Sequence, residues 1–193
     1  MIEGRNGITA STSKNILFGA GTIHKGLKYE GSAWNFKDTI AGATNGGSKL
    51  SIIPELYDVP VDGANVAVKG LKVKTGETAT MEVNFTELSL DLIKAATLGK
   101  TGSSEDATLE MITPKADIAV GDYWENVAFV GKTLEGKPVI AILENALVTS
   151  GFETEGKNKE SVTGTYTFTC HAAGEADSFD VLPWKIYYPT ATV

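Results

Sequence analysis

The chain has 193 residues, 42% of them hydrophobic and 21% charged, with a formal net charge of −7 and a single cysteine, Cys170. That length suffices to bury roughly two thirds of the unfolded surface around one core, and the composition excludes the high-charge, low-hydrophobicity signature of disorder. One cysteine excludes an internal disulfide framework, and the acidic balance excludes a DNA-wrapping or membrane-surface protein, both of which need clustered Lys and Arg.

A single domain over 1–193 is expected, with an N-terminal arm at 1–13. Residues 1–5 are left out of the fold reading, because Ile2-Glu-Gly-Arg5 matches the recognition tetrapeptide of a clotting protease used to remove tags. The start has no apolar signal core and no stretch approaches the ~20 apolar residues of a membrane span, so synthesis in a cytoplasm is expected.

Period-2 alternation rich in β-branched and aromatic residues predicts a mainly β fold, a sandwich or barrel, with strands near 15–18, 22–29, 50–56, 65–74, 78–87, 107–113, 124–132, 139–149, 162–171 and 184–188. Between the second and third of these, residues 31–49 hold four glycines and weak periodicity, which predicts a long loop bearing exposed Trp34, Phe36 and Ile40. Such a loop is expected to be mobile in a free subunit and to order on assembly. Asp62-Gly63 and Thr75-Gly76 read as hairpin turns.

One short helix is expected after Ser89, a cap for free amides, with Asp91 at the positive end of the dipole and Gly99 as the stop. Leu88 and Ile93 stand at staple positions, and Leu92, Ile93 and Ala96 would face a sheet. Residues 184–193 read as a C-terminal arm.

Three strands carry most information. In 78–86, Met81, Val83 and Phe85 alternate with Thr80, Glu82 and Asn84, giving one dry and one wet face. In 162–170, Val162, Tyr166, Phe168 and Cys170 oppose Thr163, Thr165, Thr167 and Thr169, a wettable threonine row. The run 139–143 is apolar on both faces and needs cover from the helix or from a neighbouring subunit.

Reactive chemistry is absent from the pattern. Gly19-Ala-Gly21 lacks the third glycine of a dinucleotide loop, and 42–49 places Ser48 before Lys49 where a phosphate loop needs the reverse. His24 and His171 have no metal-ligand spacing, and Cys170 falls on a dry strand face, as an inert thiol does. No catalytic set, cofactor or metal is expected. Asn84-Phe-Thr86 matches a glycosylation sequon that has no secretory context.

The stretches 15–26 (Asn-Ile-Leu-Phe-Gly-Ala-Gly-Thr-Ile-His-Lys-Gly), 54–63 (Pro-Glu-Leu-Tyr-Asp-Val-Pro-Val-Asp-Gly) and 68–85, with the helix start at 88–96, resemble major tail proteins of long-tailed, non-contractile phages. The resemblance spans residues 14–188 and lies in order and texture, without an invariant motif. It implies a β-barrel or sandwich with one flanking helix, rings of six copies stacked into a tail tube with an acidic lumen, tape-measure and tail-terminator partners, and DNA passing through without specific binding. It implies a virion protein assembled in the bacterial host cytoplasm. On that reading Thr80, Glu82, Asn84, Thr163, Thr165, Thr167 and Thr169 face the lumen, Trp34, Phe36 and Ile40 form a ring-stacking loop, and unpaired sheet edges join neighbours. The competing expectation is a monomeric β-sandwich that binds carbohydrate or peptide, or decorates a virion.

Overall fold

Alternating apolar residues produce strands only where a second layer covers the dry face, and here one sheet supplies that layer by curling on itself. The computed structural model describes residues 7–9, 11–175 and 178–190. The tetrapeptide Ile2–Arg5 and the rest of the expected N-terminal arm before Gly7 lie outside these.

The chain is mainly β, 44% strand and 9% helical, arranged as an antiparallel half-barrel with one short helix of two turns. Its strands are β1 (Leu17–His24), β2 (Tyr29–Glu30), β3 (Ala33–Trp34), β4 (Thr44–Asp58), β5 (Lys72–Phe85), β6 (Lys100–Gly102), β7 (Met111–Thr113), β8 (Trp124–Thr133), β9 (Pro138–Val148), β10 (Gly164–Cys170) and β11 (Trp184–Tyr187). The helix is α2 (Leu90–Thr97); a single helical turn, α1 (Thr12–Asn15), precedes β1. The main sheet runs β1-β8-β9-β10-β5-β4. β9 shares its second edge, pairing with β10 through Ala146–Val148 and with β11 through Ile140–Leu143.

The concave side holds the core: Met81, Val83, Phe85, Tyr166 and Phe168 meet Ile23, Trp124, Val127, Leu143 and the helix residues Leu92, Ala95 and Ala96. Asn126, in the left-handed region at φ 49°, re-aims β8 so that Trp124 and Val127, three residues apart, both enter this core. α2 forms as expected: the Ser89 hydroxyl accepts from the Leu92 N–H at 3.2 Å, and Asp91 lies in the first turn. The left-handed C-cap is Leu98, and Gly99 serves space instead, since a Cβ there would lie 2.5 Å from Ile112.

Several expectations change; the strand expected over 107–113, for one, is confined to Met111–Thr113. Residues 31–49 are not one long loop: β2 and β3 form a small hairpin at its start, and 44–49 open β4, where Gly46 and Gly47 take φ 91° and 85° in a bulge. Thr75-Gly76 is no turn but lies inside β5, with Thr75 as the extra residue of a second bulge between the Glu55–Gly76 and Leu56–Lys74 pairs. Gly76 is small because a Cβ would meet the Glu55 carboxylate at 2.7 Å. The expected strand at 65–74 begins only at Lys72; residues 65–71 join no strand.

Candidate assembly surfaces

Register brings six of the seven polar positions singled out in the sequence onto one face. Directly opposed residues share a face, and the rows Thr165–Asn84, Thr167–Glu82–Lys49 and Thr169–Thr80–Ser51 cross β10, β5 and β4 on the convex side, away from the core. The Thr165 hydroxyl donates to Asn84 Oδ1 at 2.6 Å, and the Thr149 and Thr169 hydroxyls are 2.8 Å apart. Thr163 stands outside this array, half-buried ahead of β10. Lys49, opposite Glu82, is the residue the sequence reading missed. The face therefore carries a cation beside its carboxylate. Only the register of β4 reveals it.

The other half of the convex side is covered. Trp34 and Phe36 pack on Leu27, Ala128, Ile140 and Ile142, with Trp34 also edge-on to Tyr187 at 4.9 Å. Neither ring stands free, which corrects the expectation that both are exposed. Ile40 does stay exposed and bridges to His24. The run 139–143 is thus covered from inside the chain on both faces: Leu143 joins the concave core while Val139 and Ala141 line a cavity at the mouth of the half-barrel, and the aromatic strap covers Ile140 and Ile142 on the other face.

His24 ties the strap to the sheet. It is buried between the Thr22 hydroxyl, 2.8 Å from Nε2, and the Thr39 hydroxyl, 2.9 Å from Nδ1. Thr39 spends its own proton on the Asn35 carbonyl, so Nδ1 carries the ring proton and Nε2 accepts from Thr22. Burial lowers the imidazole pKa below 6.5. Cys170 is buried as expected, its thiol pushed up to about 11 by burial, far from the range of a nucleophile.

Beyond the Ile52–Ala79 pair, β4 and β5 leave the body as a two-stranded arm, residues 53–78, closed by the turn region 59–71. β10 pairs β5 only as far as Thr80, and β4 ends the sheet, so among the described residues neither edge of the arm pairs with another strand, while Phe179–Leu182 lie beside its base at Lys74–Glu77. Ile53, Leu56, Tyr57, Val66, Val68 and Val73 are exposed on it, Val66 at 78%. At its base the Trp184 indole N–H donates to Glu77 at 2.6 Å, and Glu77 also pairs with Lys74; both contacts hold its carboxyl below 4.5.

A second apolar feature lies at the mouth of the half-barrel. The outer edge of β1 is closed at one end, where Ile23 and Lys25 bond Ala41 and Thr39, and opens at the other toward β4. There a cavity of about 280 Å³ is lined by Leu17, Leu50, Phe129, Val139, Ile186 and Tyr188, among others. Among the described residues no cluster of three or more His, Cys, Asp or Glu could hold a metal, and no helix is long and apolar enough to cross a membrane. No family model matches the chain, and no curated protein matches it.

Proposed function

We propose that this chain is a structural subunit that assembles head to tail into stacked rings, the tail tube of a long-tailed, non-contractile phage. The observation that carries the reading is the arm. A two-stranded ribbon is at best marginally stable in water, and one with exposed apolar side chains and two open edges is an adhesive surface. A monomer has no use for it.

The polar half of the convex side supports the same reading. Hydroxyls dominate it, and Glu82 is matched by Lys49, so a duplex sliding past meets a wetted wall with little net attraction. In a ring of six, each Glu82 is joined by a Lys49. The resemblance of 15–26, 54–63 and 68–85 to major tail proteins supplies the tube.

A second reading, a monomeric carbohydrate-binding or virion-decoration domain, draws on the surface cluster in which Tyr29 and Tyr187 flank Trp34 at 5.4 and 4.9 Å. Negative-stain electron microscopy across a concentration series separates the two. Rings or tubes are expected; particles that stay single at every concentration would favour the second reading.

A further inference from the structure

The sequence predicts a strand from Asn65, yet in the folded subunit 65–71 pairs with nothing as a strand. Asn65-Val-Ala-Val-Lys69 alternates Val66 and Val68 with smaller or polar neighbours, so both valines fall on one side of an extended segment. Both are exposed. A segment whose local pattern and observed state disagree is where a partner is to be sought.

The same chain holds a surface with the opposite need. The cavity at the mouth of the half-barrel is apolar, sits beside the unpaired edge of β4, and brings few polar groups to orient a ligand. At about 280 Å³ it falls just below the ~300–1,000 Å³ of small-molecule sites. An apolar cleft beside an open strand edge suits an extended segment, whose backbone pairs with the edge while alternate side chains enter the cleft.

We infer that Val66 and Val68 of one copy occupy this cavity in a second copy, with the backbone of 65–69 laid along the free edge of β4. The chain cannot satisfy itself: the eight steps from Leu50, in the cavity wall, to Asp58 carry the tip about 27 Å away along an extended strand. The contact joins two different patches, so it propagates from copy to copy and, with a rotation that closes, makes a ring. This docking rests on the self-assembly reading and names the surface that receives the arm.

Complementary variants test it. Val66→Asp with Val68→Asp spoils only the tip, and Ile186→Asp spoils only the cavity; all three positions are exposed, so the fold should persist, as circular dichroism can verify. In sedimentation velocity the unaltered chain is expected to grow with concentration, each variant alone to remain monomeric, and an equimolar mixture to stop at a dimer built from one intact tip and one intact cavity. Polymers from either variant alone, or a mixture that stays monomeric while the unaltered chain assembles, would overturn the docking and leave the assembly reading standing. If the unaltered chain never assembles, that reading fails and the docking with it.

Discussion

Between Ala79 and Phe85, β5 buries every second side chain, Ala79, Met81, Val83 and Phe85; between Lys72 and Thr78 the same strand buries none and exposes Val73. β4 behaves alike, with Leu50 and Ile52 packed on the core and Ile53, Leu56 and Tyr57 in water. One hairpin thus spans two regimes. Its body half is stabilised by its own chain, through burial worth ~25 cal/mol per Å² of apolar surface. Its arm half has backbone pairing without a core, and its apolar side chains gain nothing until another surface covers them.

The contrast should appear in how substitutions behave. Phe168→Ala, which empties the centre of the concave core, is expected to destabilise the subunit by about 3–5 kcal/mol in chemical denaturation. Trp34→Ala uncovers Ile140 and Ile142 on the convex side; with its ring only half-buried, about 2 kcal/mol is expected, together with increased dye binding by the exposed face. A wholly neutral result at Trp34 would mean that the strap is not part of the body. Ser89→Ala, which removes the cap of α2, should cost about 1 kcal/mol.

Acid should loosen the strap before the rest of the body. Folding favours the neutral imidazole of His24, so its contribution is complete above pH 6.5 and is lost as pH falls through 6.5 toward the lower folded-state value. Denaturation midpoints followed from about pH 7.5 to 5 should decline in the unaltered chain and decline less in His24→Gln. Equal slopes would remove His24 from the account. The smallest effect on the free subunit belongs to the arm: Tyr57→Ser should change its stability by no more than about 0.5 kcal/mol while weakening assembly. A loss as large as that of Phe168→Ala would mean that the arm is core after all.

The body was largely legible in the sequence, because alternation in 78–86 and 162–170 reports burial on one side and the chain itself provides the cover. The helix start was legible for a local reason: Ser89 and Asp91 act on amides one turn away. Glycine misled twice in the same direction, suggesting loop or turn where the chain is strand. Gly46 and Gly47 mark a bulged strand start, and at Gly76 the missing side chain makes room for Glu55 across the ladder, a contact invisible to local turn chemistry. Trp34 and Phe36 looked exposed because their partners, Ala128, Ile140 and Ile142, lie about a hundred residues away in sequence. Lys49 was missed because only register sets it against Glu82. In 65–71 the strand pattern outruns the strand the folded subunit forms.

Hydrogen exchange, compared between a dilute and a concentrated sample, tests the arm most directly. In the dilute subunit the edge amides of 53–58 and 72–78 should exchange rapidly while those of β9 are protected. On concentration the arm amides should become protected, with β9 unchanged. Arm amides that are already as protected as β9 in the dilute subunit, or that exchange equally fast at every concentration, would contradict the claim that the arm is built to be covered by another copy.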